Sequence, residues 1–151
     1  MESVRQSGYS KAIFGGIGEK KWWTSEIENA YKEMQVKDDV IFKGHTAPDE
    51  LKFIIPAALA MTYVSFFEGF GVPIIEAMKC GTPVITSDIS CMPEIAGGAA
   101  LLCDPNSPDS IAQKMSDVAN SPDNNEALVT QGLERAEVFS WDIGQKRELV
   151  I

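Results

Sequence analysis

The chain has 151 residues, a mass of 16.5 kDa and a net charge of -9, from thirteen basic and twenty-two acidic residues. That length holds one ordinary domain with a core of its own. Hydrophobic residues at 44% and charged residues at 23% exclude a disordered chain, and the acid excess excludes a nucleic-acid surface and argues against an anionic membrane surface. The three cysteines, Cys80, Cys91 and Cys103, are scattered among apolar residues with no metal-ligand spacing, and read as reduced core thiols. The opening "MESVRQSGYS" has no apolar signal core, and no run approaches the roughly 18 apolar residues of a membrane span. A cytoplasmic protein is the expectation.

In chain order, "KAIFGG" (Lys11 to Gly16) is a buried strand feeding a turn. Next, "TSEIENAYKEM" (Thr24 to Met34) is a helix capped by Thr24 or Ser25, with Ile27, Ala30, Tyr31 and Met34 at helical spacing. "DVIFKG" (Asp39 to Gly44) is a second strand. The helix that opens at Pro48 with Asp49 and Glu50 must end or kink at Pro56. "MTYVSF" (Met61 to Phe66) is a third strand, Pro73 opens a short helix closed by Gly81, and "PVITS" (Pro83 to Ser87) and "AALLCD" (Ala99 to Asp104) are further strands. Helices over about Asp109 to Ala119, Asn125 to Phe139 and from Trp141 onward finish the chain, with "NSPDNN" as a loop between the first two. Strands alternating with helices, the strands apolar throughout, imply an α/β fold: a Rossmann-like parallel sheet with helices on both faces. In such sheets ligands bind beyond the carboxyl ends of the strands.

The loop after the third strand, "SFFEGFGVPIIEAM" (Ser65 to Met78), lies at such an end. Gly69 and Gly71 allow close backbone approach and positive φ, and Pro73 starts a helix. The amides of Phe70 to Ile74, Pro73 excepted, are then donors at a positive helix end, a setting for phosphate or electron-rich oxygens. Glu76, within about the first helical turn, has a structural explanation as a dipole partner. Glu68 has none. A carboxylate on each side of an anion-binding turn suits a ligand with phosphate in the middle and polyols at both ends, as in a nucleotide sugar.

The stretch "FFEGFGVPIIEAMKCGTPVITSD" resembles the signature of retaining GT-B glycosyltransferases of the group 1 type. The similarity extends through "DDVIFKGHTAPDEL", "MPEIAGGAALLCDP" and "VFSWD", nearly the whole chain. The resemblance implies that Glu76 binds the ribose hydroxyls and that Glu68, the catalytic candidate, orients the hydroxyls of the donor sugar. It places the amides of Phe70, Gly71 and Val72, beside Gly69, on the sugar and diphosphate, and Gly44, His45 and Thr46 near the base. It further implies hexose transfer with retention from a nucleotide diphosphate sugar (UDP-, GDP- or ADP-hexose), without a required metal or other cofactor.

The chain departs from that family at its start. The family's donor domain opens with a strand ending in Gly-Arg, followed by a lysine, two cations that clamp the diphosphate. Nothing here matches them. The expectation is therefore one Rossmann-like donor-binding domain over residues 1–151, the C-terminal half of a GT-B fold with its first central strand missing and its N-terminal acceptor domain outside this chain. Such a piece should bind donor weakly and be inactive alone. Its second and fourth family strands should pair directly, or the gap should be filled by the tail or by a partner in an oligomer. The alternatives are a non-catalytic nucleotide-binding module, which has no use for Glu68, and a GT-B-fold nucleotide-sugar epimerase or phosphorylase-like relative.

Other residues read as structural. Trp22 and Trp23 form a loop packed on a helix, Cys80 is a core thiol, Glu94 a first-turn acid, and Ser140 the cap of the last helix.

Overall fold

The computed structural model describes residues 14–18 and 23–139. Its chain order is β1 (Phe14–Ile17), α1 (Ser25–Glu33), a 3-10 turn (Lys37–Asp39), β2 (Val40–Gly44), α2 (Pro48–Ala57), β3 (Met61–Tyr63), α3 (Val72–Lys79), β4 (Val84–Ser87), α4 (Met92–Ala96), β5 (Leu101–Cys103), α5 (Pro108–Asn120) and α6 (Pro122–Glu137). Every strand pairing among the described residues is parallel. The α/β class expected from the sequence is the one present. The chain forms two compact units, divided between Leu51 and Lys52, inside α2.

In the first unit, β1 pairs with β2, Phe14 opposite Val40, and a register shift follows Gly16. Thr24 is the cap of α1, its side chain accepting the amide of Ile27 at 3.3 Å. Trp23, Tyr31 and Phe42 meet edge to face, with centroids 5.2–6.0 Å apart, and the Trp23 indole donates to Glu28. Trp23 is thus packed on a helix, as expected; Trp22 lies outside the described residues. Of the described residues here only Asp39 and Thr46 are buried, and β2 is largely exposed. Among the described residues the cover of these two strands is thin.

The second unit carries the core. Its sheet runs β3-β4-β5, with Met61 opposite Val84 and Ile85 opposite Leu101. Successive residues of a strand face opposite ways, and in β4 they enter separate cores. Val84 joins Ile74, Met78, Met92, Ile95 and Ala136, from α3, α4 and α6, while Ile85 joins Cys103 and Val118 with Ile111 and Met115 of α5 against them. This sheet is covered on both faces, and all four residues of β4 are buried.

The described strands form two sheets, β1-β2 and β3-β4-β5, and filling of the gap by the tail falls on residues outside the description. Two local expectations are also corrected. "NSPDNN" is not a loop: Pro122 starts α6 from Ser121, since a proline at the first helical position loses no internal hydrogen bond. Asn125 instead donates to the Val118 carbonyl at 2.8 Å, closing the end of α5. Cys80 is exposed, because it is the last residue before the helix-terminating Gly81 (φ 68). There the amides of Gly81 and Thr82 return to the carbonyls of Met78 and Ala77, a Schellman closure. Ser140 and the Trp141 helix lie outside the described residues.

Candidate functional site

The quoted loop leaves the sheet where β3 stops. Pairing of β3 with β4 ends at Tyr63 opposite Thr86, and the Thr86 hydroxyl donates to the Tyr63 carbonyl at 2.8 Å. From there the loop after β3 is held to the loop after β4 by side chains. Ser87 Oγ accepts the Ser65 amide at 2.9 Å and donates to the Ser65 carbonyl at 2.6 Å. Ser90 Oγ repeats the arrangement on Glu68, accepting its amide at 3.3 Å and donating to its carbonyl at 3.1 Å. Cys91 Sγ also donates to the Glu68 carbonyl, at 3.2 Å. Small hydroxyl residues thus replace backbone pairing beyond the strand ends.

Glu68 is half-buried, with its carboxylate beside the Tyr63 phenol. Burial first, then the neighbouring Glu68 carboxylate, then Cys91, push the Tyr63 phenol up to about 12, so it stays protonated. Eight residues on, Glu76 is exposed, and its carboxylate has no hydrogen bond or ion pair among the described residues. Because α3 begins at Val72, its first turn holds no acid, and Glu76 stands one turn further in. The dipole explanation for Glu76 loses its ground.

Between the acids, Gly71 caps α3 in the left-handed region (φ 82, ψ 43), and a Cβ there would press on Ile74 Cδ1 at 3.1 Å. Gly69 has no positive φ, so of the two glycines Gly71 is the one that uses the left-handed freedom. The amide of Ile74 donates to the Gly71 carbonyl at 3.0 Å and is not available to a ligand, contrary to expectation. Those of Gly69, Phe70, Gly71 and Val72 have no acceptor among the described residues. The Phe70 side chain leans back into the protein, edge to face with Phe139 at 5.8 Å. The Arg135 guanidinium lies 4.8 Å from the centre of the Phe139 ring and donates to the carbonyls of Glu94 and Ile95, closing the end of α4. Glu94 is in the first turn of that helix, as expected.

Gly44, His45 and Thr46 belong to the first unit. Gly44 has φ 75 and its carbonyl accepts the Gly18 amide; His45 is exposed; Thr46 is buried, with its hydroxyl 3.4 Å from the Gly44 carbonyl. Among the described residues no group of acidic, cysteine or histidine side chains is arranged to hold a metal, and no helix is long and apolar enough to cross a membrane.

Sequence reasoning missed Tyr63, Ser65, Thr86, Ser87, Ser90 and Arg135. A signal for the serines was present, because "VITSDIS" places several hydroxyls just past a strand end. Arg135 had none.

The family model described as "Glycosyl transferases group 1" matches residues 4–135. The chain belongs to this family. It is 38% identical over 101 residues to the O-antigen chain mannosyltransferase B of Escherichia coli, an overlap of 67% of this chain and 26% of that one. The chain therefore spans about a quarter of that relative's length. The fold is matched by the sucrose-phosphate synthase of Thermosynechococcus elongatus, with a TM-score of 0.77 and 25% identity over 97% of this chain and 40% of the other. It is matched too by the C-terminal domain of a glycosyl transferase group 1 family protein from Francisella tularensis, with a TM-score of 0.75 and 24% identity, covering 91% of this chain and 74% of the other. The parallel α/β arrangement of this family member is thus of the GT-B glycosyltransferase type.

Proposed function

We propose that this chain is the donor-binding domain of a retaining hexosyltransferase, with an acceptor-binding domain supplied by the rest of a longer cytoplasmic protein. One observation carries the reading: the amides of Phe70, Gly71 and Val72, without acceptors among the described residues, lie in sequence between a carboxylate held from behind and one left exposed. Amides at a helix start take the diphosphate, the exposed Glu76 takes the vicinal ribose hydroxyls, and Glu68 takes hydroxyls of the donor hexose. As the bond from sugar to diphosphate breaks, charge grows on the departing phosphate oxygens. Fixed amide donors stabilise that charge without reorganising, which is where the rate acceleration arises. Tyr63, kept protonated beside Glu68, adds no second negative charge there. The mannosyltransferase among the relatives supports a hexose as the transferred group and surface polysaccharide as the setting.

The test is calorimetric titration of this chain with UDP, GDP, ADP and their glucose and mannose conjugates, in the wild type, Glu68→Ala and Glu76→Ala. The expected result is one responding nucleotide series, with Glu76→Ala weakening nucleotide and conjugate alike and Glu68→Ala weakening only the conjugate. His45→Ala in the same series tests the expected base contact of Gly44, His45 and Thr46. Binding that ignores both acids rejects the reading, and conjugate binding that depends on Glu76 but ignores Glu68 favours a non-catalytic module.

A further inference from the structure

Glu68 sits in a loop that no backbone ladder reaches, yet a carboxylate that selects sugar hydroxyls must be held to within a fraction of an ångström. The means are visible in the rungs between the two loops. Tyr63 is the last residue of β3 to pair with β4, and beyond it the fastening is made by hydroxyls, first Ser87 on Ser65 and then Ser90 on Glu68. In both, a single Oγ accepts the amide and donates to the carbonyl of the same residue, so that one side chain occupies both polar groups of the main chain. Ser90 does this from an unusual backbone. With φ at 60° it is the only non-glycine residue at positive φ among those described. That region is costly for a residue with a Cβ, and glycine would enter it without strain. If the turn needed only its shape, glycine would serve better there; what serine adds is the hydroxyl on Glu68.

We infer that Ser90 is a positioning residue for the donor sugar, clasping the main chain of Glu68 so that its carboxylate faces the hexose. The inference rests on the donor-binding reading above. Ser90 touches no part of the nucleotide in this scheme, so its effect is confined to the sugar end of the ligand. Cys91 contributes a weaker sulfur donor to the same carbonyl and does not replace the hydroxyl, since it leaves the Glu68 amide without its acceptor.

The decisive pair of variants is Ser90→Gly, which relieves the backbone and removes the hydroxyl, and Ser90→Ala, which removes the hydroxyl alone. Each is titrated with GDP against GDP-mannose, UDP against UDP-glucose and ADP against ADP-glucose, beside Glu68→Ala. Both variants should lose affinity for the responding conjugate by roughly two- to tenfold, the scale of a lost hydrogen bond, while nucleoside diphosphate affinity stays unchanged. Ser90→Gly should melt no lower than the wild type. Amide hydrogen exchange without ligand supplies an independent reading: protection at Glu68 should fall in both variants while that of β4 is kept. Wild-type conjugate affinity in Ser90→Gly, equal losses for conjugate and nucleotide, or unchanged protection at Glu68 would each overturn the inference. If Glu68→Ala itself leaves conjugate binding intact, the donor-binding reading has failed, and that result is separate from any behaviour of Ser90.

Discussion

The two units are built from the same alternation of parallel strands and helices, yet they hold themselves together differently. In the second, β4 is buried along its whole length between two apolar clusters, and among the described residues the sixteen buried hydrophobic ones all lie beyond Leu51. In the first, Ile17, Ile27 and Ile41 are 46%, 44% and 53% exposed, and the main apolar contact is an edge-to-face trio of aromatic rings. A three-stranded sheet with helices on both faces can support itself; a two-stranded one is marginal. The lesson is that the motif-bearing loop is mounted on the rigid part, where Gly71 and Ser90 can be kept in left-handed conformations.

The comparison can be broken most directly by truncating one side chain in each unit. Ile85→Ala, at 1% exposure in the centre of β4, should cost about 2–5 kcal/mol in chemical unfolding, the range for a large aliphatic residue removed from a packed core. Phe42→Ala, at 36% exposure, should cost no more than about 2 kcal/mol, most of it the aromatic contacts. A loss at Phe42 as large as that at Ile85 would mean that the first unit has a core which the described residues do not show.

A smaller effect sharpens the picture at the loop. The Tyr63 phenol, with an ordinary value of 10.0, is raised to about 12, so the unfolded chain gives up that proton first. The resulting stabilisation is complete below about pH 10 and is lost as pH rises through about 12, where a phenolate would face Glu68. Ultraviolet titration should show a late tyrosine phase, and Tyr63→Phe should remove that phase together with part of the alkaline loss of stability. A Tyr63 that titrates at its ordinary value of 10.0 would show that it is neither buried nor beside Glu68 as described.

Much of this was legible in the residues. Five apolar runs marked the five strands, Pro73 and Gly81 bounded the helix after the loop, and Thr24 was named as a cap. These are local effects, in which a side chain or a missing N–H acts on its own few neighbours. What sequence could not supply was the partner across the fold. Ser90 was passed over because its importance lies 22 residues back, at Glu68, and Arg135 because the carbonyls it closes are 40 and 41 residues away. Cys80 was misjudged for a related reason, since apolar neighbours in sequence did not predict which side of a helix end it would occupy. Glu76 shows the reverse: a shift of where a helix begins by a single residue removed its structural explanation and left the functional one.

The contact between Phe70 and Phe139 has a consequence for how the protein is made. A ribosome delivers the Gly-Phe-Gly turn long before it delivers the aromatic ring against which that turn rests, or the Arg135 that steadies the ring. Until the end of α6 has emerged, the nascent turn has its helix and glycines but no backstop. A polypeptide released early, or clipped just before Phe139, would therefore keep every residue of the family signature and lack the support that sets its shape.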